Sequence, residues 1–209
     1  MESRKEEDSF LKFHLKARLK KLTCFVGQTT LLVEKKHLLS VLKTLKTHAS
    51  LRYTQLMDVC SVDYLGQSKP RFEVVYHLLS MYFNQRIRLK VPLKENESLP
   101  SSISLFSSAD WFEREVYDMF GIHFDDHPNL KRILTDYNFK GHPLLKDFPI
   151  MGHTQMRYDK DKKEVVEEPV HLEQAYRTFD TCSPWKGMDK AIAQIEKSKK
   201  TTQRSQNET

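Results

Sequence analysis

The chain has 209 residues and a formal charge of +6, with 39% of residues hydrophobic and 30% charged. That length suits one substantial domain with an appendage and is short for two independent cores. Its longest nearly apolar run, Val74 to Phe83, is broken by His77 and Ser80 and falls short of the about 20 residues that a bilayer-spanning helix needs.

The excess charge is confined to the ends. Residues 1–22 and 190–209 each carry a net +3, and the 167 residues between them are balanced. A nucleic-acid binder gathers Lys and Arg on a folded face, so this distribution argues against nucleic acid as a partner. Cys24, Cys60 and Cys182 are odd in number, widely spaced and without a CxxC pair. Neither a disulfide framework nor a four-thiolate cluster can be built from them alone, and a reducing compartment is expected. Glu2, Glu6, Glu7 and Asp8 crowd the first eight residues, which is unlike an acid-poor transit peptide. The expectation is a protein used where it is made, or one whose leader has been removed.

In chain order, Leu11, Leu15, Leu19 and Leu22 form one stripe and predict an amphipathic helix over residues 9–22. Thr29 to Val33 reads as a short strand, and Lys36 to Ala49 as a helix with Leu38, Val41, Leu42 and Leu45 on one face. Leu51 to Tyr64 reads as a strand with weaker patterning. Arg71 to Leu79 reads as a buried strand, Asn84-Gln85 as a turn, and Arg86 to Val91 as a strictly alternating strand with Ile87, Leu89 and Val91 inward. Ser107-x-x-Asp110 resembles a capping box, and Gly121 sits where a helix-terminating glycine belongs. Between them Trp111, Phe112, Val116, Met119 and Phe120 share one side, and Glu115 falls inside that arc, where a carboxylate needs a partner. Helices combined with consecutive strands predict an α+β domain, with a mostly antiparallel sheet and helices packed on one face.

After Gly121 the regularity stops. Residues 121–185 hold Pro128, Pro143, Pro149, Pro169 and Pro184, and also Phe124, Tyr137, Phe139, Phe148, Tyr158, Tyr176, Phe179 and Trp185. Disordered linkers are poor in aromatics and long structureless loops are uncommon, so this extended segment is expected to bury its rings on a partner surface. The division expected is residues 1–121 as the α+β domain, 122–189 as a long extended partner-binding segment, and 190–209 as a mobile basic tail.

Sites of chemistry are sparse. There is no phosphate-binding glycine loop and no GxSxG elbow. His123, Asp125, Asp126 and His127 are residue types that ligate zinc or iron, which would make the chain an autonomous metal-dependent enzyme. The bland alternative is a Pro-directed turn in which these polar side chains bond local backbone. His142, before Pro143, invites the same structural reading. Lys131, Arg132, Lys146 and Arg157 could form an anion patch, but partnering with Asp136, Asp147 and Asp159 or across an interface is the simpler expectation.

The run Glu113-Arg114-Glu115-Val116-Tyr117-Asp118-Met119-Phe120-Gly121-Ile122, continued by His127-Pro128-Asn129-Leu130-Lys131-Arg132-Ile133-Leu134, resembles the 30 kDa subunit family of respiratory complex I, the proton-pumping NADH:quinone oxidoreductase. The likeness extends through Thr135-Asp136-Tyr137, Gly141-His142-Pro143-Leu144, Lys146-Asp147-Phe148-Pro149, Arg157-Tyr158-Asp159, Glu168-Pro169-Val170 and Pro184-Trp185, and it covers the Arg71 to Val91 strand pair. Asn138, Leu145, His153 and Gln155 depart from the family pattern, which leaves contacts at those positions open.

The resemblance implies a non-catalytic core subunit of the peripheral arm. A member of this kind has no redox centre, catalytic residue or metal of its own, while the complex uses FMN, iron–sulfur clusters, NADH and ubiquinone. It further implies that the chain clamps the large quinone-site subunit and neighbouring iron–sulfur subunits, with the motif residues serving structure or interface. The setting it implies is the matrix side of the mitochondrial inner membrane with only indirect membrane contact, or the cytoplasmic membrane of a bacterium. A plastid relative, or one serving a membrane hydrogenase, would differ in its partners.

Overall fold

The computed structural model describes Leu11, Phe13, Leu15 and residues 18–174. The chain divides into two compact units, residues 1–153 and residues 154–209. Tyr176, Phe179, Pro184, Trp185 and the basic tail from residue 190 lie outside the described residues.

The first unit is built on a five-stranded sheet. Its strands are β1 (Leu19–Phe25), β2 (Gln28–Val33), β3 (Gln55–Asp63), β4 (Phe72–Ser80) and β5 (Gln85–Leu93), in the order β1-β2-β5-β4-β3. Every neighbouring pair is antiparallel except β2 and β5, so the expected mostly antiparallel α+β fold is present. The alternation read for β5 is realised, with Ile87, Leu89, Val91 and Leu93 buried. In register with them across β4 lie Leu78, Tyr76, Val74 and Phe72. Helix α1 (Leu38–Thr47) adds Leu38, Val41, Leu42 and Leu45 to the same core, and helix α2 (Ala109–Phe120) adds Ala109 and Val116. Opposite-face residues such as Glu73 and His77 are half-buried, and Val75 on that face is not part of the core cluster.

Two local readings require correction, the first helix and the capping box, and one weak reading finds its cause. The helix expected over residues 9–22 gives way to strand β1 from Leu19, although Leu11, Phe13 and Leu15 are helical. Leu19 and Leu22 fit either period, and the deciding signal is the Val26-Gly27 turn, whose positive φ values of 48° and 72° suit a two-residue hairpin. The weak pattern of β3 has a cause: the register shifts between Leu56 and Asp58, and this bulge lets Leu56 and Val59 both face inward. The capping box does not form. Helix α2 begins at Ala109, Ser108 occupies the cap without a side-chain cap bond, and its hydroxyl donates instead to the Leu56 carbonyl at 3.4 Å. The helix does end as read, with Gly121 left-handed at φ 74°.

Beyond α2 the chain runs as a short strand, β7 (Phe124–Asp125), parallel to β6 (Leu99–Pro100). Residues up to 153 stay with the first unit. In the second unit, β8 (Thr154–Asp159) and β9 (Glu164–Pro169) form an antiparallel hairpin, an ordered element within a stretch read only as extended.

Candidate functional site

Helix α2 carries three carboxylates of the motif in three different environments. Glu113, not Glu115, is the buried acid. Its Oε1 accepts from the Ser102 amide at 2.8 Å and the Ser102 hydroxyl at 2.7 Å, and its Oε2 accepts from the Ser101 hydroxyl at 2.6 Å. Glu115 is exposed. A helical wheel counts apolar neighbours on the helix alone. The loop carrying Ser101 and Ser102 is held over Glu113 by β6, and so it turns that side inward, while Trp111 is left exposed with the Arg114 guanidinium 5.1 Å from its ring centre.

Asp118 is the centre of the arrangement. Its carboxylate is fully buried and accepts from the amides of Ile133, Leu134 and Thr135 at 3.0, 2.8 and 3.0 Å, from Arg132 Nη1 at 2.8 Å and from the Thr135 hydroxyl. Burial alone would raise its pKa. The Thr135 hydroxyl and amide, the Leu134 amide and Arg132 together outweigh that and hold the carboxyl well below the usual carboxylate range. Arg132 also donates through Nη2 to the Gly141 carbonyl at 2.9 Å. Two backbone bonds complete the wrap: His142 Nδ1 meets the Asp118 carbonyl at 2.9 Å, and the Leu144 amide donates to Met119 O at 3.1 Å. Gly121 is required here twice over, by its positive φ and because a Cβ would stand 2.7 Å from the His142 ring. The motif elements around Asp118, Gly121, Arg132, Gly141 and His142 are therefore one constellation, in which a buried acid and the helix end around it fasten the irregular chain as far as Leu144.

A second constellation was not singled out from the sequence. Asp63, at the end of β3, is gripped by Arg71 through Nε at 2.9 Å and Nη2 at 2.8 Å, and it also accepts from the Leu65 and Lys146 amides, both at 2.9 Å. The Arg71 guanidinium, aided by the two amides and working against burial, brings the Asp63 carboxyl down to about 2. Arg71 also binds Glu95 at 2.6 Å and Asp147 at 2.8 Å. The partner of Asp147 is thus an arginine 76 residues earlier in the chain, not a cation of its own stretch. The available signal was Asp63 closing an inward-facing strand position two residues before an amide it could cap. Phe148 stacks on Phe139 with 5.8 Å between ring centres, and His153 meets Phe148 edge-on at 5.5 Å.

The proposed metal ligands do not converge. Strand β7 alternates its side chains, so Phe124 enters the core while His123 and Asp125 face out, 3.7 Å apart, and Asp125 accepts from Ser98. His127 turns under α2 instead: its Nδ1 accepts from the Asn129 amide at 3.1 Å, which leaves Nε2 to donate to the Asp110 carbonyl at 3.2 Å. Among the described residues no group of three His, Cys, Asp or Glu side chains could hold a metal. Pro128 and Lys131 lie exposed in the turn that follows, where the Lys131 carbonyl accepts from Arg114 at 3.2 Å.

The remaining motif residues face outward or belong to the second unit. Asp136 and Tyr137 are exposed, and Pro143 is half-buried. Leu134, Leu144, Ile150 and Met151 join Tyr137 as exposed apolar side chains on the wrapped segment. In the hairpin Arg157 reaches Glu168 at 3.1 Å and Asp159 at 3.8 Å, while Tyr158 and Pro169 are exposed. Of the departing positions, Leu145 packs on the core and Gln155 donates to Glu168 at 2.8 Å, so both are satisfied within the chain. Both buried aspartates are saturated with donors, which suits them to hold loops and leaves no lone pair for a metal or a transferable proton.

Comparison with known proteins places the chain among relatives. The profile of the family described as "Respiratory-chain NADH dehydrogenase, 30 Kd subunit" matches residues 31–154. The chain is 54% identical over 161 residues to the C subunit of NADH-quinone oxidoreductase from Roseobacter denitrificans, covering 77% of this chain and 80% of that one. It is 52% identical over 174 residues to the same protein of Hyphomonas neptunium, covering 83% and 86%. Among solved structures, the trypsin-resistant fragment (1–134) of Nqo5 superposes with a TM-score of 0.52 at 28% identity, covering 59% of this chain and 98% of that one. A chain from an archaeal respiratory membrane complex, the membrane-bound sulfane sulfur reductase, shares the fold with a TM-score of 0.60 at 19% identity, over 82% of this chain and 99% of that one.

Proposed function

The chain belongs to the respiratory-chain NADH dehydrogenase 30 Kd subunit family, and from that premise we propose how it serves as a peripheral-arm subunit of NADH-quinone oxidoreductase (complex I). It acts as a rigid scaffold that clamps the quinone-site subunit and neighbouring cluster-bearing subunits, and the isolated chain has no catalytic activity and no redox centre. Electron transfer through a relay of cofactors depends on their spacing, so a subunit that fixes its neighbours serves the reaction without taking part in it. The complex works at the mitochondrial inner membrane, on its matrix side, or at a bacterial cytoplasmic membrane, and this chain meets the membrane only through its partners. No helix among the described residues is long and apolar enough to cross one.

The observation that carries this reading is the use made of the buried acids. The Asp118 carboxylate accepts all its bonds from residues 132–135 and Asp63 accepts one from the Lys146 amide, and the segment 121–153 fastened in this way presents Leu134, Tyr137, Leu144, Ile150 and Met151 to the outside. Ordering irregular chain costs on the order of 1–2 kcal/mol per residue, and displaying apolar side chains on it is sensible where a partner covers them. The cysteine placement supports the absence of a cluster: Cys24 on β1 and Cys60 on β3 stand at opposite edges of the sheet.

The test is an affinity pull-down of the tagged full chain from gently solubilised membranes, with mass spectrometry and an NADH-oxidation stain on a native gel. The expected result is one large NADH-active particle containing flavin and cluster subunits. Recovery as a free monomer outside that particle would overturn the scaffold reading.

A further inference from the structure

The clamp occupies one end of the sheet, where Asp63 pairs with Phe72 and Phe72 with Leu93. The opposite end has an unexplained feature. Strands β2 and β5 are parallel neighbours, with Thr29 opposite Ile87, so the β1–β2 turn and the β4–β5 loop leave the sheet side by side. Both tips are apolar and exposed: Phe25 is 81% accessible, Val26 87%, Met81 67% and Tyr82 71%. Val26 is also held at a φ of 48°, a conformation that is a genuine outlier for a β-branched residue. A polar residue or glycine would fit that turn with less strain, so presenting an apolar side chain there costs stability that folding alone does not explain.

The surroundings of the tips specify the chemistry of what covers them. Arg52 lies 4.7 Å from the Tyr82 ring centre, and Arg86 is exposed at the start of β5. No Asp or Glu occurs in residues 19–33, 44–57 or 74–94, and among the described strand residues near this end the first acid is Asp58, further into β3. An apolar platform with two arginines at its edge complements an apolar segment flanked by carboxylates. The chain's own residues 190–209 carry the wrong charge for that role.

We infer that the paired hairpin tips, Phe25-Val26 and Met81-Tyr82-Phe83, with Arg52 and Arg86 at their edge, form a second docking surface for an apolar, acid-flanked segment of another subunit of the same complex. With the clamp at the far end of the sheet, the protein then bridges two neighbours. This assignment rests on the scaffold reading but not on which partner the clamp meets.

The experiment places a photoreactive benzoylphenylalanine at position 82 of the tagged full chain, in cells that assemble the complex, and identifies the cross-linked peptide by mass spectrometry. A cross-link within the NADH-active particle to a partner segment of apolar residues flanked by Asp or Glu supports the proposal. A cross-link to the chain's own tail, to lipid, or to a segment without acids overturns it, and so does an assembled particle with no cross-link. If even the unlabelled chain enters no particle, the scaffold reading falls and takes this surface with it. Independently, the double variant Phe25→Ser, Tyr82→Ser should lower the yield of assembled particle about tenfold, as loss of aromatic anchors does, while the thermal unfolding of the free chain stays unchanged. Arg86→Glu should give a smaller loss that high salt abolishes. Unchanged assembly in both would overturn the proposal.

Discussion

Residues 121–153 and residues 154–174 both fall in the stretch read as extended from the sequence, and each exposes one tyrosine ring, Tyr137 and Tyr158. They differ in how they are held. The first stretch is tied to helix α2 and strand β3 by two buried aspartates, each bonded by an arginine and by main-chain amides. The second forms a hairpin whose ion pairs lie on its surface and whose Met156, Tyr158 and Val165 are exposed. A two-stranded hairpin is at best marginal in water. A buried acid with several donors can give irregular chain a fixed shape without a hydrophobic core, whereas the hairpin is held by its own ladder and by exposed ion pairs.

The sharpest way to break that contrast is Asp118→Ala. Removing one member of a buried ion pair strands Arg132 and three amides, and the expected cost is about 3–5 kcal/mol. In thermal unfolding of the full chain this should lower Tm by roughly 10 °C or more, and protease cleavage should concentrate in residues 121–153. Gly121→Ala strikes the same wrap more gently. Its left-handed backbone and the close His142 ring should together cost about 2 kcal/mol, seen as faster amide hydrogen exchange at Leu144, with the sheet unaffected.

Acid provides a third probe. The Asp63 pKa of about 2 lies below its unfolded value of about 3.9, so its contribution is complete above pH 4 and is lost as pH falls through 2. Denaturant unfolding followed from pH 7 downward should be flat to about pH 4, then lose about 2 kcal/mol of stability from this group. The variant Asp63→Asn should start less stable and show a shallower acid limb. The smallest effect belongs to the second unit. Arg157→Ala removes an exposed pair with Glu168 and should change stability by less than about 0.5 kcal/mol. A large loss there would mean that the hairpin is held in the manner of the clamp.

Much of the fold could be read from the chain, and the exceptions are instructive. The alternation of Ile87, Leu89 and Val91 and the helical spacing of Leu38, Val41, Leu42 and Leu45 are local patterns with a single reading, and both are realised. Leu19 and Leu22 satisfy two periods, so the turn after them decided the outcome. The site was legible as a motif but not as geometry. Glu115 attracted notice because the wheel placed it among apolar residues, whereas Glu113 is buried by two serines 11 and 12 residues earlier, a long-range contact that no periodicity records. Asp63, Arg71 and Asp147 meet only because β3 and β4 pair and the later chain returns to them, so their cooperation was invisible until the sheet was assembled.

The central claim is that residues 1–153 fold as one unit with 121–153 turned toward partners, and that the chain beyond His153 adds to that partner surface; truncation after His153 tests it most directly. The shortened chain should unfold cooperatively with a Tm within a few degrees of the full chain, yet yield little or no NADH-active particle when it replaces the full chain in cells. Normal assembly of the truncated chain would show that partners do not need the residues beyond His153.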